Sequence, residues 1–322
     1  MPATVHGIHH ITAIATDAQR NLDFYSGLLG LRLVKRTVNF DDPGTYHLYF
    51  GDAEGRPGTI LTFFPWRYAR RGARGTGQVT ATAFAVPAAS LGWWHDRLAA
   101  SHVVREDPRE RMGEEVLAFL DPDGLRLELV ATDTAAEGGP WSAGPVPTPH
   151  AIRGFHSATL ALADAAPTAA LLTREMGLRR VAEEGARSRF AAGPAEGVGA
   201  LVDLVARPGE GRGNVAAGSV HHIAWRVAGD TEQEEARAHL EGLGLHVTPV
   251  LDRQYFHSIY FREPGGVLFE IATDPPGFGV DEPVEELGSG LRLPPWLEPH
   301  RERIERTLPP LGAGRELSAE GA

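Results

Sequence analysis

The sequence predicts an α+β fold made of four βαβββ modules that pair into two half-barrels. Three observations carry that expectation: a short β-like stretch that returns four times, an amphipathic helical stretch after each, and an apolar closing strand behind a glycine in every copy. The opening strands are Gly7-Ile8-His9-His10-Ile11-Thr12-Ala13-Ile14, Gln78-Val79-Thr80-Ala81-Thr82-Ala83-Phe84, Phe155-His156-Ser157-Ala158-Thr159-Leu160 and Val220-His221-His222-Ile223-Ala224-Trp225-Arg226-Val227.

Helices are expected next, at 21–29, 90–100, 168–176 and 232–243. In the first, Leu22, Tyr25, Leu28 and Leu29 recur at helical spacing. Gly30, Gly177 and Gly244 stand where a left-handed helix stop is needed. Three further strands complete each module. The last of these are 58–64, 124–130, 199–204 and 266–272, and the turns Asp121-Pro122-Asp123-Gly124 and Glu263-Pro264-Gly265-Gly266 lead into two of them. A unit of ~50–60 residues buries too little surface to fold alone, so the copies should pair. In chain order this gives an N-terminal domain of two modules at 5–132, a linker at 133–152, a C-terminal domain of two modules at 153–274 and a Pro-rich tail at 275–322. Pro294, Pro295 and Trp296 of the tail should dock, whereas 312–322 should fray.

Composition narrows the function. The 322 residues suit about two domains. With 31 basic against 42 acidic residues the net charge is −11, which argues against nucleic-acid or anionic-membrane partners. No apolar run approaches the ~20 residues of a membrane span, and the first 20 residues lack the pattern of a secretory signal. Cysteine is absent, which excludes disulfides, thiolate metal sites and cysteine nucleophiles and makes the cytoplasm the expected location. Fourteen histidines direct attention to His/carboxylate chemistry.

A lone strand histidine is ordinarily a satisfied core or surface residue. Here His10 and His222 occupy the same slot of modules one and four, each behind another histidine and each on the more polar face of its strand. Glu270 interrupts an apolar closing strand, where a carboxylate must be paired, protonated or bound to a metal. Glu128 interrupts the second module's closing strand in the same slot, so position alone does not decide between a ligand and a buried ion pair. Two histidines and a carboxylate can hold one face of an octahedral ion and leave positions open, the arrangement used for oxygen activation at non-haem iron. If modules three and four pair, the set is His156, His222 and Glu270; if one and four pair, it is His10, His222 and Glu270. The doublets favour the second, and spacing alone leaves both open.

With these residues in view, the chain resembles the vicinal oxygen chelate superfamily of glyoxalases, fosfomycin and bleomycin resistance proteins and extradiol dioxygenases. Within it the chain is most similar to hydroquinone-type ring-cleaving dioxygenases, including the chlorohydroquinone-cleaving enzymes of pentachlorophenol and lindane degradation. The similarity runs from about Gly7 to about Phe278, with landmarks at Leu33-Val34-Lys35-Arg36-Thr37, Tyr46-His47-Leu48-Tyr49-Phe50, Arg153-Gly154-Phe155-His156-Ser157 and Pro264-Gly265-Gly266-Val267-Leu268-Phe269-Glu270. It implies two vicinal-oxygen-chelate half-barrels and a metal site of His10, His222 and Glu270 holding Fe(II), with Mn(II) the other candidate. It also implies catalytic roles around the metal for His9, His221, Arg253 and Tyr260. The stretch Asp252-Arg253-Gln254-Tyr255 is shorter here than in the chlorohydroquinone enzymes, which bears on Arg253. His156 is left to a structural role or a second site, and His257 faces away from Tyr260 by strand parity.

The implied activity is cleavage of a small aromatic diol by O₂. Two other readings compete: a glyoxalase-like isomerase or lyase using its metal as a Lewis acid, and a non-catalytic protein that sequesters aromatic ligands. The basic run Arg67-Tyr68-Ala69-Arg70-Arg71-Gly72-Ala73-Arg74 reads first as a solvated loop and second as a device for steering anionic substrates. Edge strands in open sheets leave a homo-oligomer open.

Overall fold

The computed structural model describes residues 3–132, 139–193 and 197–315. Module one comprises β1 (Ile8–Ala15), α1 (Ala18–Leu22), β2 (Arg32–Asn39), β3 (Asp42–Gly51) and β4 (Ile60–Pro65). Module two comprises β5 (Gln78–Val86), α2 (Leu91–Ala100), β6 (Arg109–Arg111), β7 (Glu114–Leu120) and β8 (Arg126–Ala131). Module three runs through β9 (Phe155–Leu162), α3 (Ala166–Ala170), β10 (Arg179–Glu184), β11 (Arg187–Ala191) and β12 (Leu201–Ala206). Module four has β13 (Val220–Val227), α4 (Asp230–Gly242), β14 (Leu251–Asp252), β15 (Phe256–Arg262) and β16 (Leu268–Pro276).

The first and third helices depart from the expected α-helix. Each passes after five residues into a π-helical turn, at Asp23–Leu28 and Leu171–Glu175. The wider turn lets Phe24, Tyr25, Leu28 and Leu29 all reach the core, where a 3.6-residue repeat would turn some of them outward. Gly30 stops the first helix with φ of +72°, and a Cβ there would lie 2.6 Å from Val146, so glycine serves both the backbone and the packing.

Two curled eight-stranded sheets result. One has the order β14-β15-β16-β13-β1-β4-β3-β2, the other β10-β11-β12-β9-β5-β8-β7-β6. The opening strands pair antiparallel at the centre of each, β1 with β13 and β5 with β9. Module one thus joins module four, and module two joins module three. Each sheet takes one module from each half of the chain, so the sheets do not follow the consecutive division into 5–132 and 153–274. Helices and the inward faces of both sheets share a continuous apolar core that includes Trp94, Trp225, Phe84 and Phe155.

The tail is tied down by charge. Lys35, fully buried on β2, donates to the Phe278 carbonyl at 3.1 Å and to Asp281 at 2.6 Å, and it also pairs with Glu282. Arg292 holds the other oxygen of Glu282 at 2.9 Å. Trp296 packs edge-on against Phe40. The expected fraying from residue 312 begins too early: Gly312 N–H donates to Gln19 and Arg315 N–H to Asp23, both at 2.8 Å, so Gly312–Arg315 is docked on the first helix. Residues 316–322 of that segment, like 133–138 of the linker, lie outside the described residues.

Candidate metal centre and active-site cavity

Pairing of β1 with β13 brings the two histidine doublets together. The Nε2 atoms of His10 and His222 lie 3.4 Å apart, and Oε2 of Glu270 on the neighbouring β16 lies 3.3 and 2.9 Å from them. Glu270 is fully buried, yet Oε2 accepts no hydrogen bond. An unpartnered carboxylate oxygen in that setting is costly, and a cation among the three atoms would satisfy it. Atoms bound to one ion at ~2.1 Å would sit ~3.0–3.4 Å apart for octahedral to tetrahedral angles, close to the spacing found. These residues form the one group of three suited to hold an ion among the described residues.

The second histidine of each doublet is set by the first. His10 Nδ1 lies 2.9 Å from His9 Nδ1, and His222 Nδ1 lies 2.7 Å from His221 Nδ1. In each such pair one nitrogen donates and the other accepts. With the shared proton on His10 Nδ1, Nε2 is bare toward the cluster, the tautomer a metal needs. Burial holds His9, His221 and His222 below the ordinary histidine range, His221 at about 3. Glu270 lies well below the carboxylate range: burial pushes it up, and the two imidazoles more than offset that. Ser258 donates to its Oε1 at 2.5 Å.

A cavity of about 410 Å³ opens over this cluster. Its walls include Phe40, Phe64, Trp66, Leu251, Phe256 and Leu268, and its polar lining includes Asn39, Asp41, His47, Tyr49, His221, Thr248, Arg253 and Tyr260. That is the small end of the range for ligand pockets and suits one aromatic ring. A larger groove of about 900 Å³ runs between the first helix, residues 141–145 and the tail, but it contains no histidine and lies away from the cluster.

His221, Arg253 and Tyr260 therefore face the cavity, whereas His9 lies behind His10 and does not line it. Arg253 Nε donates to the Tyr260 hydroxyl at 3.3 Å and its guanidinium reaches Asp41 of module one at 3.1 Å. His257 points away and pairs with Asp230 on the surface. None of Arg67–Arg74 lines the cavity, and Arg67, Tyr68, Arg70 and Arg71 are exposed. Reading the sequence alone did not single out His47 and Tyr49, although both stand in one of the landmark stretches.

The second sheet carries the same layout with different side chains. Asp203 pairs in register with Thr159 as Glu270 does with Ala224, so Asp203 and Ser157 stand where Glu270 and His222 stand. Arg189 takes the place of Tyr260 and binds Asp203 at 2.7 Å, with Arg187 on the same carboxylate at 2.8 Å. His156 bonds Glu114 at 2.9 Å, and Arg189 reaches that carboxylate too. Glu128 is held by Arg111 at 2.7 Å. The second sheet is thus filled by ion pairs, and because modules three and four do not pair, His156 never approaches His222.

Comparison with known proteins gives the family. The family model for the Glyoxalase/Bleomycin resistance protein/Dioxygenase superfamily matches residues 7–129 and 154–271, and the chain belongs to that superfamily. It is 51% identical over 311 residues to "Putative ring-cleaving dioxygenase MhqO" of Bacillus subtilis (strain 168), covering 97% of this chain and 98% of the relative. It is 38% identical over 317 residues to a "Chlorohydroquinone/hydroquinone 1,2-dioxygenase" of Sphingobium indicum, covering 96% and 97% of the two chains. A crystal structure of a "putative dioxygenase" from Bacillus subtilis superposes with a TM-score of 0.92 at 49% identity, over 97% of this chain and 99% of that one. Fold and near-full-length likeness together make the chain an oxidoreductase of the dioxygenase class.

Proposed function

We propose that the protein opens the ring of hydroquinones or related dihydroxybenzenes, with Fe(II) held by His10, His222 and Glu270; Mn(II) is the other ion this donor set suits. The bond broken joins a hydroxyl-bearing ring carbon to its neighbour, and both atoms of O₂ end in the product. The observation that carries the reading is the convergence of two imidazoles and one buried carboxylate on the floor of a one-ring aromatic cavity. The names of the relatives support the same substrate class.

An iron ion in this site would supply the one-electron chemistry that lets O₂ react with an aromatic ring. The chain's own residues account for the rest. Phe256, Phe64, Trp66 and Leu268 clasp a ring and exclude water from it. With its oxygen accepting from Arg253, Tyr260 keeps its own proton to donate to a substrate oxygen above Glu270. The Arg253 guanidinium places positive charge beside that oxygen. His221 faces the cavity with its Nδ1 committed to His222, so Nε2 is the atom at which it can hold or move a substrate proton.

The test is substitution read by two measurements. His222→Ala and Glu270→Gln should lose both bound iron and turnover, whereas Tyr260→Phe should keep iron and lose at least about tenfold in turnover, in line with general acid–base contributions. Full turnover by His222→Ala would overturn the scheme.

A further inference from the structure

The catalytic sheet has an internal two-fold relation that reaches beyond the histidine doublets. On β1 and β4, Thr12 pairs with Thr62, and Thr62 pairs with Tyr49 of β3. On β13 and β16, Ala224 pairs with Glu270, and Glu270 pairs with Tyr260 of β15. Tyr49 therefore occupies in module one the position that Tyr260 occupies in module four. The two tyrosines stand on opposite sides of the metal cluster, each two strands from a central histidine strand, and both line the cavity.

Their hydroxyls have opposite polarity. Tyr260 accepts from Arg253 and has a proton to give. The Tyr49 hydroxyl lies 2.8 Å from His47 Nδ1, and His47 Nε2 lies 2.8 Å from Thr62 Oγ1, which itself donates to Thr12 at 2.8 Å. Because the Thr62 proton is spent on Thr12, Thr62 must accept from His47 Nε2–H. His47 Nδ1 is then bare and takes the proton of Tyr49. The ring of His47 is wedged between Tyr49 and Phe64, with centroids 4.0 and 4.3 Å away, which fixes this alignment. Tyr49 is thereby left with oxygen lone pairs and no proton to offer the cavity.

We propose that Tyr49, oriented by His47, receives the hydroxyl of the substrate that is not bound at the metal centre, and so selects a diol that keeps one protonated oxygen. This rests on reading the cavity as the site of an aromatic diol. One wall donates to the oxygen at the metal and the opposite wall accepts from the other hydroxyl. A ring that lacks a second O–H leaves Tyr49 unpaired in an apolar cavity, which is the basis of the discrimination.

The experiment measures binding of hydroquinone and of 4-methoxyphenol, whose second oxygen carries no proton. Anaerobic Fe(II)-loaded protein is titrated and followed by tryptophan fluorescence, since Trp66 lines the cavity. Tyr49→Phe should weaken hydroquinone about tenfold, or 1.4 kcal/mol, and leave 4-methoxyphenol binding at least as tightly as in wild type. His47→Gln, which keeps an acceptor for Tyr49 and a donor for Thr62, should retain the wild-type preference for hydroquinone; His47→Leu should lose it. Bound iron and circular dichroism confirm that each variant is folded and loaded. If Tyr49→Phe weakens both ligands equally or neither, the assignment of Tyr49 is wrong while the diol reading stands. If the loaded wild type binds neither ligand, the diol reading falls and Tyr49 with it.

Discussion

Ser258→Ala probes the metal centre without touching a ligand. Ser258 is fully buried on β15, and its hydroxyl donates to Oε1 of Glu270. The other oxygen, Oε2, faces the two histidine Nε2 atoms and accepts no hydrogen bond. Removing Oγ deletes a bond to a charged group, worth about 1.5–3 kcal/mol, and frees the carboxylate to rotate out of line. Partners that orient a metal ligand typically matter by about 10–100-fold in affinity, the range those energies give. Metal affinity should therefore fall by that factor in an anaerobic competition of Fe(II) between the protein and a chromophoric chelator. The metal-free variant should melt within a few degrees of wild type. Unchanged iron affinity in Ser258→Ala would refute the reasoning that this hydroxyl aligns Glu270.

Other consequences are equally open to test. In the second sheet, Arg189→Met removes one of the two guanidiniums on the fully buried Asp203 carboxylate and leaves Arg187 as the other. It should cost about 1.5–3 kcal/mol of unfolding free energy, the worth of a hydrogen bond to a charged group, while leaving bound iron intact, as read by urea titration and metal analysis. Burial pushes the Glu114 carboxyl up, but His156 and Arg189 outweigh this and hold it at about 2, against an ordinary 4.5. The folded state thus binds fewer protons than the unfolded state between those values, so the stability from Glu114 is complete above about pH 4.5 and disappears as pH falls toward 2. The stability gap between wild type and Glu114→Gln should close across that window; a gap that widens on acidification would contradict the assignment. Chelation should lower the melting temperature, because an ion at 100 times its dissociation constant stabilises by about 2.7 kcal/mol. Glu270→Gln should show no such loss.

The repeat was legible because each module restates an opening strand, a helix (stopped by Gly30, Gly177 or Gly244 in three of the four) and a closing strand four residues into which Thr62, Glu128, Asp203 or Glu270 falls. His10 and His222 stood out for the same reason, as doublets in one slot. Which modules pair was not legible, since both pairings satisfy local pattern and only the contacts of β1 with β13 decide. Tyr49 was hidden by loop length. It lies nine residues before Gly58, whereas Tyr260 lies six before Gly266, so only the strand register reveals them as equivalents. The docking of Gly312–Arg315 depends on Gln19 and Asp23, nearly three hundred residues earlier, which no local signal reports.

The central claim is that His10, His222 and Glu270 hold an iron ion that lets this protein join O₂ to an aromatic diol. Oxygen consumption by anaerobically Fe(II)-loaded protein, on adding hydroquinone in oxygenated buffer, tests it most directly, with catechol and metal-stripped protein as controls. One O₂ should be taken up per ring opened, requiring both iron and diol. Fully bound iron with no uptake would contradict the dioxygenase mechanism and turn attention to isomerase chemistry; no bound iron would contradict the metal centre itself.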